Sequence, residues 1–193
     1  MRSVGETLRT PIAIAVVTAF AFGGLVAALA SSGRLMDLAG MTSSTPRPVW
    51  SEVPWPFPMD QWGKGKAFQC DAAHCGAVVN LYLRAKIGFC NCTTGVADDE
   101  ELERLSDFDL MGKGTVTPLG NGRPIIVAWM KGRSRSYAIS SASALSVAFN
   151  DRCDAIVATV VQGRDRPDAI EPGVLEFLNG KTVLRWAEVT LGL

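Results

Sequence analysis

The sequence predicts an α+β domain with a largely antiparallel sheet and short helices packed on it, preceded by one transmembrane helix (or signal peptide) and a tether. Three observations predict it. Residues 11–30, "PIAIAVVTAFAFGGLVAALA", carry no charge. Several later stretches show strand patterning, either period-two alternation or short continuous apolar runs. Short helical patterns with acidic starts or apolar stripes lie between and after them. The order of strands and helices favours one mixed domain, and no internal repeat is present.

As a helix, the run 11–30 spans about 30 Å, the hydrocarbon thickness of a bilayer. Arg2 and Arg9 precede it, so the positive-inside tendency puts residues 1–10 in the cytoplasm. The run reads as an uncleaved signal-anchor, since it exceeds the usual signal-peptide core of about 7–15 residues. Ala28 and Ala30 keep a cleaved signal peptide open as the alternative. Either way the domain is expected outside the cytoplasm: on the periplasmic side if the cell is bacterial, secreted if the segment is removed. Residues 31–49 are rich in Ser, Thr, Gly and Pro and read as a flexible tether.

The domain is expected over residues 50–193. It opens with "WSEVPWPFPMDQW", where Pro54, Pro56 and Pro58 exclude a helix. Such a segment is an extended arm packed over the domain, or a partner or membrane-interface contact through Trp50 and Trp55. "AVVNLYLRAKI" alternates, with Ala77, Val79, Leu81, Leu83, Ala85 and Ile87 on one face and Asn80, Tyr82, Arg84 and Lys86 on the other. That is a half-buried strand, with a helix as runner-up. "DDEELERL" starts a helix, with Asp98 and Glu101 at capping-box spacing. The acids suit the helix dipole better than a calcium site, because EF-hand spacing is missing.

"RPIIVAWMKGRSRSYAIS" reads as two strands turning at Gly132-Arg133, with "KGRSR" as a solvated hairpin tip. "SASALSVAFND" reads as a short helix on Ala144, Leu145, Ala148 and Phe149. "DAIVATVV" is a continuous apolar strand, central in the sheet. A loop, "QGRDRPDAIEPG", then leads to two C-terminal helical pieces broken at Gly180, with Val183, Trp186 and Ala187 facing the core.

Chemistry concentrates in one stretch, "FQCDAAHCGAVVNLYLRAKIGFCNC", which holds four of the five cysteines and the single histidine, His74. One shared metal is disfavoured. A strand between Cys75 and Cys90 would part them by about 50 Å, whereas zinc needs sulfurs about 2.3 Å from one ion. Cys70 and Cys75 are disulfide candidates, facing each other across a hairpin closed by loop 71–74, at a Cα spacing of about 5 Å. A link from this pair to Cys90 or Cys92 stays open, as do free or metal-bound thiols. His74 reads as an exposed loop histidine, with a ligand role as the alternative. A disulfide inside Cys90-Asn91-Cys92 would be strained, so these two form a candidate soft-metal or redox site, with Cu(I) the fitting ion. Five is odd, and Cys153 reads as the spare thiol, a small buried hydrophobe.

Balanced charge argues against nucleic-acid binding, which needs a concentrated basic surface. A single histidine, with neither a G-x-S-x-G elbow nor a phosphate loop, leaves no positive case for an enzyme and none for a cofactor. The expectation is therefore a membrane-tethered accessory or assembly protein acting through a protein partner. The alternatives are a copper-handling or thiol-redox protein using Cys90 and Cys92 and, more weakly, a solute-binding or hydrolytic domain.

Overall fold

The structure is a computed structural model and describes residues 47–112, 114–140, 142–163 and 167–193. The expected membrane segment 11–30, residues 1–10 and the tether up to residue 46 lie outside the described residues. Among the described residues no helix is long and apolar enough to cross a membrane.

The strands are β1 (Trp50–Val53), β2 (Lys66–Cys70), β3 (Val79–Lys86), β4 (Val116–Pro118), β5 (Arg123–Val127), β6 (Met130–Ile139), β7 (Ala142–Asp151) and β8 (Asp154–Gln162). The helices are α1 (Ala72–Cys75), α2 (Asp99–Leu105), α3 (Pro167–Leu178) and α4 (Lys181–Leu191). A short 3-10 turn covers Phe108–Met111. The strands form one sheet in the order β1-β2-β3-β8-β7-β6-β4, with β5 also on β6. Every pairing is antiparallel.

Register fixes two ends of this sheet. Trp50, Cys70, Val79, Gln162 and Ser143 mark the near end, where the described chain enters. Lys86, the Asp151–Asp154 turn and the Val127–Met130 turn mark the far end. Both sheet edges are blunted. β1 is short and is followed by Pro54, and β5 carries Pro124, which cannot donate to an added strand.

The two faces are covered differently. On one face Phe68, Leu81, Val160, Leu145 and their neighbours pack beneath Ile170, Val174 and Leu178 of α3 and Val183, Ala187 and Leu191 of α4. On the other face Ala148, Ala155 and Val157 pack beneath Leu102 and Leu105 of α2, with Cys90 and Val96. The central strands β7 and β8 are therefore buried on both faces.

That double burial explains the main correction. Residues 142–151 form β7, not the expected helix. Leu145, Val147 and Phe149 point to α3 and α4 while Ala144, Ser146 and Ala148 point to the opposite face, so nearly every residue is buried. A strand covered on both sides loses its alternation and can imitate a helical stripe.

The hairpin at 123–139 also differs. Its turn is at Ala128-Trp129, and Gly132 lies inside β6 opposite Phe149. A Cβ on Gly132 would come within 2.1 Å of the Ala148 carbonyl oxygen, so glycine serves strand contact there rather than a turn. "KGRSR" is consequently mid-strand. Arg133 is paired with Asp99, and Arg135 lies 2.6 Å from Glu103, so the acidic start of α2 and the basic run of β6 face each other. Finally, α3 begins at Pro167, inside the expected loop, with Pro172 within it. Gly180 is the N-cap of α4, where Val183 and Ala187 are buried and Trp186 only half-buried.

Candidate functional site

At the near end, Cys70 ends β2 and is disulfide-bonded to Cys75, their Cα atoms 6.0 Å apart. Residues between them do not form an open hairpin loop. They wind into the single turn α1, because Asp71 caps it: Asp71 Oδ1 accepts the His74 main-chain N–H at 3.0 Å. The same oxygen lies 2.8 Å from His74 Nδ1, and these contacts hold the Asp71 carboxyl below its usual range. Beside this turn runs a groove of about 610 Å³ lined by His74, Pro48, Ile170, Pro172 and Glu176 among others. The lining is chiefly apolar, and Asp71 already engages one nitrogen of His74. Among the described residues no group of three or more His, Cys, Asp or Glu is placed to hold a metal ion.

The far end holds the other three cysteines. Cys92 is disulfide-bonded to Cys153, with Cα atoms 4.1 Å apart. Cys90 is the free one, and it is buried. This corrects two expectations. Cys153 is not the spare thiol, and Cys90 and Cys92 are not a matched thiol pair. Cys92 lies on the exposed loop after β3, whereas Cys90 points into the small core beneath α2. Burial, helped by the charges of Glu101 and Asp154, pushes the Cys90 thiol up to about 11. A soft-metal site at Cys90 and Cys92 would therefore require reduction of the disulfide and exposure of Cys90.

Trp50 and Trp55 both pack on their own domain. Trp50 lies 5.4 Å from the Phe177 ring, and Trp55 packs edge-on against Phe57 and Tyr82. Trp129, to which the sequence pattern assigns no role, is 54% exposed at the tip of the β5–β6 hairpin. Ile126 (65%) lies beside it, facing Lys131 across the strands, and Ile87 (52%) leaves β3 at the same end of the sheet. Ala128, which precedes Trp129, has φ 54°. That region is costly for a residue with a Cβ. The Ala128 N–H donates to Asn179 Oδ1 at 2.7 Å, tying the tip to the junction of α3 and α4.

Two buried polar clusters also escaped sequence reasoning. Arg84 and Lys86, placed on the solvent face of a half-buried strand, are 3% and 4% exposed. Asp107 takes both: its Oδ1 lies 2.5 Å from Arg84 Nη2 and 2.9 Å from Lys86 Nζ. Asp60 adds a contact to Arg84 at 2.6 Å. Burial works against the Arg84 charge, but the two carboxylates outweigh it and raise the guanidinium above its ordinary value. The second cluster joins β6 to α3. The buried Glu171 carboxylate accepts from Ser134 Oγ at 2.5 Å and from Arg123. It borders a polar pocket of about 250 Å³. Through Ser134 and Arg123 the Glu171 carboxylate ties α3 to β6 and β5. The signal for both clusters was present as alternating polar residues, but their partners come from segments that the sequence leaves unplaced.

Comparison with known protein families, with curated proteins and with solved structures finds no match to this chain.

Proposed function

We propose that the protein is a membrane-tethered, extracytoplasmic accessory or assembly domain that works by protein contact. The observation that carries this reading is the exposed apolar set at the far end, Trp129 with Ile126 and Ile87. Exposed single apolar residues are ordinary. A tryptophan fixed on a hairpin tip beside an exposed isoleucine is the composition of an interface centre. Two intrachain disulfides support an oxidising compartment. The self-paired charges on the second face leave that side as structure rather than as a binding patch.

The test is a photo-crosslinking amino acid placed at position 129 of the full chain in its native membrane. A discrete adduct should form there and not from position 189, where Val189 is exposed on α4. No adduct at 129, or the same smear from both positions, would refute the reading. Protease protection of the intact membrane tests the topology separately.

A further inference from the structure

Cys90, Cys92 and Cys153 come together at the far end of the sheet, and two of the three are bonded. The free thiol is no distant bystander. The Cys90 main-chain N–H donates to the Cys153 carbonyl oxygen at 3.1 Å. Its Sγ donates to the carbonyl oxygen of Arg152, the residue before Cys153, at 3.2 Å. That bond puts the two backbones in direct contact, and a disulfide bridges Cα atoms up to about 6.8 Å apart.

We propose that Cys153 has two alternative partners, and that the Cys92–Cys153 disulfide exchanges internally with Cys90 to give Cys90–Cys153 and a Cys92 thiol at the surface. The inference goes beyond the protein-contact reading and does not depend on it.

The step balances within the chain. Cys90 loses its proton and its thiolate attacks the Cys153 sulfur. The Cys90–Cys153 bond forms as the Cys92–Cys153 bond breaks, and Cys92 leaves as a thiolate that takes up a proton. Nothing is oxidised or reduced overall, so no outside reagent is needed. The loop closed by the new bond is nearly the same length as the 61-residue separation closed now, so chain entropy hardly separates the two pairings. The brake lies in the environment of Cys90. Glu101 and Arg104 of α2 and Asp154 of β8 face it within an apolar shell from Leu102, Leu105 and Ala155. Its thiolate is scarce at neutral pH, so exchange is slow there and accelerates as pH rises. The consequence is a change of reactivity. An inert buried thiol is exchanged for one on an exposed loop, where a thiol-bearing partner or reagent reaches it.

The experiment is native-state alkylation of the full chain at pH 9 over several hours, followed by non-reducing peptide mapping. Label should accumulate on Cys92 together with a Cys90–Cys153 cross-linked peptide, while Cys70–Cys75 stays intact. About a tenfold slower approach is expected for each pH unit below that. Label on Cys90 with Cys92–Cys153 intact, or no label on either, overturns the proposal. Scrambling of Cys70 and Cys75 at the same rate would also overturn it, since that marks exchange through the unfolded chain. A second arm compares Cys92→Ser with Cys153→Ser. After Cys92→Ser is refolded in a glutathione redox buffer, whose oxidised form takes up the two electrons, exchange requires it to hold a Cys90–Cys153 bond and to melt above Cys153→Ser. Equal melting with two free thiols in Cys92→Ser refutes it.

Discussion

Asp107→Asn is the sharpest probe of what holds the second face together. Asp107 is 5% exposed and is the carboxylate shared by Arg84 and Lys86. The substitution keeps the volume and one acceptor oxygen but removes the charge. Arg84 then retains Asp60, whose side chain is 38% exposed. Lys86 loses its direct ion pair and keeps the more distant Asp60 charge and the faces of Trp62 and Phe89, 5.6 and 5.9 Å from its Nζ. Removing one partner of a buried ion pair costs about 3–5 kcal/mol, because the remaining charge stays desolvated. The retained acceptor puts Asp107→Asn at the lower end, about 3 kcal/mol. For a domain of about 150 residues that lowers Tm by roughly 10 °C. Asp60→Asn removes a water-screened partner and should cost about 1 kcal/mol or less. Urea melts of the two variants with unchanged m decide the matter. Adding Lys86→Met to Asp107→Asn deletes the orphaned cation and should restore about 1–3 kcal/mol. Equal costs at Asp60 and Asp107, or no recovery in the double variant, would refute the claim that burial controls this network.

Three further expectations follow from other parts of the fold. The disulfides should differ in worth: closing a 61-residue separation contributes about 4 kcal/mol in the chain-entropy account and a 5-residue one about 2. Cys153→Ser should therefore lower the denaturation midpoint about twice as far as Cys75→Ser in equilibrium melts. Asp99 is held below its usual range by the Gly122 N–H and then by Arg133 and Arg135, against the opposing pull of burial. A depressed carboxyl contributes stability above its unfolded pKa of about 3.9 and loses it as pH falls through the folded value. Asp99→Asn should accordingly lower stability at pH 7 and flatten its fall below about pH 4, as read by Tm against pH. At the hairpin tip, Ala128→Gly relieves the positive φ and should raise stability by about 0.5–1 kcal/mol, whereas Gly132→Ala should lower it by about 2 kcal/mol or more by wedging β6 from β7. The reverse result, with Ala128→Gly lowering stability and Gly132→Ala leaving it unchanged or raising it, would refute a turn at Ala128-Trp129.

What the sequence makes legible here is whatever a single segment decides. The period of residues 79–86, the apolar run of β8, the Asp98 cap and the break at Gly180 are local facts, and each element follows from local physics. Asp98 Oδ1 accepts the Glu101 N–H at 2.8 Å, as the spacing implies, but the Glu101 carboxylate turns to Asn91 and Arg104 instead of closing the box. What stayed illegible needed two segments at once. The acids of α2 and the arginines of β6 each look like a solvated charge run until the fold sets them face to face. Arg84 and Lys86 look exposed until the segment after α2 covers them with Asp107. The cysteines obey the same rule. Cys70 and Cys75 are five residues apart and their pairing could be argued from sequence. Cys153 could be assigned only once β8 lay beside the end of β3, and that placement leaves Cys90, not Cys153, as the odd thiol. Local spacing suggested chemistry in Cys90-Asn91-Cys92. The tertiary neighbour of both residues, Cys153, is what gives the exposed loop and the buried thiol a common reaction.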